Sequence, residues 1–146
     1  MIDGDELERS YKHHLSDYAE WEQRDHASNW MLIEDNLGEN LSIDETMLQE
    51  DLVTILSNKA GHCKQGSVIS IVRGTKAEDV IEVLMKIPEE ARLAVKEVTM
   101  DLSSSMRAIV STVFPNATIV LDCFHVLKRC HDAIEEVRLH LKRDAQ

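Results

Sequence analysis

Apolar positions along this 146-residue chain alternate between two periods. Between Asn40 and Arg73 they alternate with polar residues or gather in short runs bounded by turn residues, which is the pattern of strands. It predicts three strands, over Asn40–Leu48, Leu52–Asn58 and Ser67–Arg73. Gln49-Glu50-Asp51 joins the first two, and Gly61 to Gly66 makes a polar loop before the third. Connections this short favour antiparallel neighbours.

The period then lengthens. Thr75-Lys-Ala-Glu78 reads as a capping box, with Val80, Ile81, Leu84 and Ile87 as a helical stripe behind it. Pro88-Glu-Glu suits the start of a short further helix. Val95–Met100 is a fourth strand. Ser103 can cap a helix whose stripe is Met106, Ile109, Val110 and Val113, and Pro115-Asn116 ends it. Ala117–Leu121 is a fifth strand. A last helix spans about Phe124–Lys142, with Val126, Leu127, Cys130, Ile134, Val137 and Leu141 on one side.

The first 30 residues read as helical, with Tyr11, Leu15, Tyr18 and Trp21 forming a stripe expected to pack on the domain or a neighbour. Trp30-Met-Leu-Ile is a short apolar piece and Asn36-Leu-Gly a turn. The order β-β-β-α-β-α-β-α describes an α/β fold, a mixed sheet with helices on its faces. We divide the chain into a helical segment, 1–38, and a core, 39–146.

Composition narrows the class. The chain is neither disordered nor long enough in any apolar stretch to span a bilayer. Its acidic start, Met1-Ile-Asp-Gly-Asp-Glu, lacks a signal-peptide pattern, which makes the cytoplasm the expected location and a membrane partner unexpected. Three cysteines without a signal sequence argue for free thiols. Cys123, His125, Cys130 and His131 cluster but contain no Cys-x-x-Cys pair, so a packed Cys130 is the better reading than zinc. Five glycines and no Gly-x-Gly-x-x-Gly after a strand exclude a dinucleotide fingerprint. No cysteine has an evident base and oxyanion site for nucleophilic chemistry. A net charge of −11 opposes direct grip on nucleic acid, unless basic parts lie elsewhere. Lys128, Arg129, Arg138, Lys142 and Arg143 make the last helix the basic patch, either a phosphate contact or a solvated face.

Three aspartates each close an apolar run: Asp44, Asp101 and Asp122. Strand ends are where open α/β sheets place their chemistry. If the first strand lies centrally with the fourth beside it, Asp44 and Asp101 meet. Gathered carboxylates require a cation or a proton. Two aspartates on adjacent strands suit Mg²⁺ or Mn²⁺, which accept oxygen ligands and retain water. The alternative is that each aspartate merely caps the segment that follows. Glu45 points to the opposite face of a regular strand, where it is a poor ligand and free to pair with a base.

Four strings occur in order: Leu41-Ser-Ile-Asp-Glu-Thr, Gly74-Thr-Lys-Ala-Glu-Asp-Val-Ile, Val98-Thr-Met-Asp-Leu-Ser-Ser-Ser-Met, and Phe114-Pro-Asn-Ala through Leu121-Asp-Cys-Phe-His-Val-Leu-Lys. Together they resemble the catalytic core of DDE transposases of bacterial insertion sequences, of the ISL type, over about Asn40 to the C-terminus. The resemblance implies a ribonuclease-H-like fold, present here as an incomplete N-terminal part. It implies Mg²⁺ or Mn²⁺ bound by Asp44 and Asp101 as catalytic residues, with a third acid, a Glu on a later helix, beyond this chain. Glu135 and Glu136 come too early for that role. In the Asp-x-Phe-His string, Cys123 stands where the family often keeps an arginine. There the resemblance implies supporting roles: Asp122 beside the metal or ordering His125 by a hydrogen bond, and His125 at a DNA phosphate, with helix capping or a place at the core edge as the alternative for His125. Lys128 and Arg129 become candidates for DNA phosphates.

The implied function is metal-dependent DNA cleavage and strand transfer in transposition, with transposon ends and target DNA as partners of the complete protein and little activity in this chain alone. A homo-oligomer is compatible with it. Two rivals remain: another ribonuclease-H-like nuclease, with its carboxylate set complete within the chain, and a non-catalytic interaction domain derived from a transposase.

Overall fold

The computed structural model describes residues 3–62 and 64–144. Six strands form one mixed sheet: β1 (Trp30–Leu32), β2 (Asn40–Leu48), β3 (Asp51–Asn58), β4 (Val68–Arg73), β5 (Glu97–Met100) and β6 (Thr118–Leu121). Their spatial order is β1-β4-β3-β2-β5-β6. The meander β2-β3-β4 is antiparallel, and β5 and β6 add in parallel beside β2. The first long strand therefore lies inside the sheet with the fourth expected strand next to it. The edge strand β1 pairs antiparallel with β4 through Trp30↔Val72 and Leu32↔Ser70, so the short apolar piece before the core is part of the sheet.

Alternation along β2 buries Leu41 and Ile43 and leaves Ser42 half-buried and Asp44 exposed. Val98 and Met100 of β5 share the buried face. Helices α2 (Ala77–Leu84) and α4 (Ser104–Val113) close it, with Val80, Leu84, Met106, Ile109, Val110 and Val113 in one core with the sheet. Burying each of these side chains is worth roughly 1.5–3 kcal/mol, which is what holds the two layers together. Between them, α3 (Glu89–Leu93) begins after Pro88. The opposite sheet face is polar near β5: Lys59 Nζ donates to Glu97 Oε1 at 2.6 Å and to Thr99 Oγ1 at 2.9 Å.

The capping box at Thr75 does not form. Lys76 occupies the N-cap of α2 without a side-chain bond, and the Thr75 carbonyl instead accepts from Ser105 Oγ at 3.2 Å. Gly74 makes the turn into α2 with φ +90°, a conformation other residues reach only under strain. Ser103 caps α4 as expected, its Oγ accepting from Met106 N–H at 3.4 Å.

The two ends of the chain differ most from expectation. The N-terminal helix is short: α1 (Gly4–Ser10) continues as one wide turn through Leu15, then a 3-10 turn over Asp17–Glu20. Leu7, Tyr11 and Leu15 are exposed, not packed. The last helix, α5 (Cys123–Asp144), has no buried residue. Cys130 is exposed with its whole stripe, which overturns the packed-cysteine reading. Cys63 lies outside the described residues, as do Met1, Ile2, Ala145 and Gln146. Among the described residues, no helix is long and apolar enough to cross a membrane.

Candidate metal centre and phosphate contacts

The last paired positions of β2 and β5 are Ser42 and Thr99. Two residues beyond that pair stand Asp44, still within β2, and Asp101, just past the end of β5, so both come at the same end of the β2–β5 pairing. The next strand repeats the arrangement. Met100 pairs with Leu121, and Asp122 N–H donates to the Met100 carbonyl at 2.8 Å. Asp44, Asp101 and Asp122 thus mark the same edge of three neighbouring strands. Asp101 and Asp122 directly follow the last residues of β5 and β6, whereas Asp44 lies within β2, exposed by alternation just past the end of its pairing with β5.

Strand spacing then limits what they can share. Neighbouring strands lie about 4.8 Å apart, so the outer two aspartates are separated by about twice that. An ion with metal–oxygen distances near 2.1 Å can join neighbours but not both ends. Among the described residues, no three His, Cys, Asp or Glu side chains are gathered as a metal group.

Each aspartate also has a local bond. Asp101 Oδ1 accepts from Ser103 N–H at 2.8 Å, which turns the chain from β5 toward α4. Asp44 Oδ1 accepts from Glu45 N–H at 2.9 Å. Asp122 Oδ1 accepts from Phe124 N–H at 3.0 Å, at the start of α5. The capping roles weighed from the sequence are therefore real for Asp101 and Asp122. They engage one carboxylate oxygen and leave the other available.

Glu45 lies where alternation expects it, half-buried on the face of Leu41 and Ile43. It has no ion pair among the described residues, and its pKa is raised, first by burial, then by the charges of Asp101 and Asp44. The charge of Asp101 reaches it because β5 ends at Met100 while β2 continues to Leu48. Glu45 and its two acidic neighbours consequently concentrate negative charge at one edge. The only sequence signal was its adjacency to Asp44. Asp44 and Asp101, likewise without an ion pair among the described residues, supply the hard oxygen donors that Mg²⁺ or Mn²⁺ takes from one or two carboxylates, with water filling the remainder. The residues present fit such an ion as a two-carboxylate site.

His125 Nε2 stands 3.7 Å from Asp122 Oδ2, close enough for charge attraction but beyond a hydrogen bond. It lines a shallow surface concavity on α5 with Lys128, Arg129, Asp132, Ala133 and Glu136. Lys128 and Arg129 are exposed and in no ion pair among the described residues. Glu135 is fixed by Arg138 through two bonds of 2.8 and 2.6 Å, and both are exposed. The arginine holds the Glu135 carboxyl below its usual range.

The family model described as Transposase, for ISL3-type DDE enzymes, matches residues 41–146, from the second residue of β2 through α5 and beyond. No curated relative matches the chain. The matched span takes in all three strand-edge aspartates and covers most of the sequence: the chain belongs to the ISL3-type DDE transposase family.

Proposed function

We infer that this chain carries part of a ribonuclease-H-like catalytic domain that cleaves and joins DNA strands in transposition, using a divalent metal. The observation that carries the reading is the placement of Asp44 and Asp101 at one edge of adjacent parallel strands. The strand order around them supports the fold assignment, since the meander β2-β3-β4 continues directly into the parallel pair.

Asp44 and Asp101 would hold Mg²⁺ or Mn²⁺ through the carboxylate oxygens not used for backbone capping. When bound, such an ion activates an attacking oxygen and offsets charge on the scissile phosphate. The Ser103 N–H fixes the Asp101 rotamer, so that carboxylate is oriented before any ligand arrives. Asp122 anchors the start of α5 and stands beside His125, whose ring would offer a donor to a DNA phosphate beside Lys128 and Arg129. Among the described residues no third acid is grouped with Asp44 and Asp101 as a metal ligand, which supports little or no strand transfer by this chain alone. Glu135 is a poor substitute because Arg138 already occupies both its oxygens. That geometry weighs against a self-sufficient nuclease.

The test is an NMR titration with Mg²⁺, repeated with paramagnetic Mn²⁺. Shifts and broadening should centre on Asp44, Glu45 and Asp101 and disappear in an Asp44→Asn, Asp101→Asn variant. An unchanged spectrum at these positions would favour the non-catalytic interaction domain. Strong metal-dependent cleavage of DNA by the chain alone would overturn the incomplete-site reading.

A further inference from the structure

Lys59 reaches over the polar face of the sheet beside the candidate metal centre. It follows Asn58, the last residue of β3, yet its side chain bonds to β5, and β2 lies between those two strands. Its Nζ donates to Glu97 Oε1 at 2.6 Å and to Thr99 Oγ1 at 2.9 Å. Glu97 and Thr99 alternate with the buried Val98 and Met100, so they face away from α2 and α4. Thr99 pairs with Ser42, which stands on that same face between the buried Leu41 and Ile43. The ammonium is thus held beside the Ser42–Thr99 pair. Asp44 follows two residues later along β2, a rise of about 6.6 Å, and Asp101 two residues after Thr99.

The count of donors decides what this arrangement has left to offer. An ammonium carries three N–H donors, and two of those on Lys59 are engaged. Thr99 Oγ1 accepts from Lys59, and its own hydrogen is given to no partner among the described residues. One N–H and one O–H therefore remain side by side. The Lys59 and Glu97 side chains are 41% and 35% exposed, so a ligand from solvent can reach them. Two adjacent donors, one of them charged, suit a phosphate oxygen. The carboxylates further along suit a cation and repel an anion, so this pair supplies the anion contact that the metal centre lacks. Glu97 would compete with an incoming phosphate for the same ammonium.

We propose that Lys59 and Thr99 hold a phosphate of the DNA strand, the neighbour of the one that meets Asp44 and Asp101. The assignment rests on the DNA-cleaving reading above and adds the path of the strand, across the polar sheet face. Lys59 is then a positioning residue: gripping one phosphate sets the next one at the carboxylates.

Fluorescence anisotropy of a short labelled duplex, across a salt series with Mg²⁺ present, tests this on the whole chain. Lys59→Ala should weaken binding and reduce the slope of log affinity against log salt by about 1, for one phosphate no longer neutralised. Lys59→Arg should keep the slope. Lys12→Ala makes the same change in net charge within the N-terminal segment and should also keep it. Thr99→Val should weaken binding about two- to tenfold with the slope unchanged. Glu97→Ala separates a phosphate contact from a strap that only ties β3 to β5. A strap loses its bond in either variant, so Lys59→Ala and Glu97→Ala would both weaken binding. Here Glu97→Ala should strengthen it, because the ammonium is freed for the phosphate. Thermal melts check that each variant folds, and Lys59→Gln replaces the alanine variant if that one does not. A slope unchanged by loss of Lys59, weaker binding in Glu97→Ala, or no binding by the wild-type chain at low salt would overturn the proposal. The metal reading fails separately, if Mn²⁺ leaves Asp44 and Asp101 unbroadened, and the slope decides the phosphate contact in either case.

Discussion

At the scale of single residues, three neighbouring carboxylates, two of them the proposed metal ligands, work against stability. Glu45 is held above the ordinary glutamate pKa by burial and by the charges of Asp101 and Asp44. A raised carboxyl pKa means the folded state binds the proton more tightly than the unfolded chain does. Its stabilising contribution is complete below the unfolded pKa and is lost as pH rises through the folded one. Glu45→Gln should therefore raise the melting temperature at pH 7, and the gain should vanish below about pH 4, where the wild-type group is itself protonated. Asp101→Asn should also stabilise, since its Oδ1 can still accept from Ser103 N–H. Thermal melts across this pH range check both, and a gain from Glu45→Gln that persists at acid pH would show that repulsion is not the cause. Asp44 and Asp101 were legible in the sequence because each ends an apolar run. Glu45 was legible in its facing but not in its raised pKa, which depends on its burial and on the charges that gather where β5 ends.

At the scale of elements, what was legible is what buries a periodic face. The stripe of α4 follows its sequence period, and Met106, Ile109, Val110 and Val113 are all buried. The strand boundaries of the meander also agree to within a residue, because alternation and turns mark them together. The three-residue β1 was not legible because its strand character depends on pairing with β4, which no local pattern encodes. The α5 stripe was legible as a pattern but not as an exposed one, since periodicity shows which side is apolar and not whether anything covers it. Substitutions should divide along the same line. Ile109→Ala should cost about 2–5 kcal/mol, as a large side chain removed from a filled core. Ser103→Ala should cost about 1 kcal/mol through loss of the N-cap. Leu127→Ala, exposed on α5, should stay within about 0.5 kcal/mol. Urea unfolding measures all three. A cost for Leu127→Ala comparable to that of Ile109→Ala would mean that α5 is packed in solution.

At the scale of the whole molecule, the distribution of charge matters more than its sum. The net −11 that opposed DNA binding is not spread evenly. Acidic side chains crowd the edge of β2 and β5, where a cation would neutralise part of the charge. Basic side chains without an ion pair among the described residues sit on α5, reached directly from β6 through Asp122. DNA held along α5 would thus have its backbone near the same sheet edge, with Lys128 and Arg129 contacting phosphates and reading no sequence. Asp132 and Glu136 line the same concavity and would keep that grip weak. Affinity for duplex DNA should therefore be low and fall with salt. Replacing Lys128 and Arg129 together by alanine should reduce the slope of log affinity against log salt by about 2, one for each phosphate no longer neutralised. Fluorescence anisotropy with unrelated duplexes measures the slope, and the reduction should be the same for every sequence. An unchanged slope would remove α5 from the DNA path. A reduction confined to one sequence would mean that these side chains reach base edges, which binding through phosphates alone does not allow.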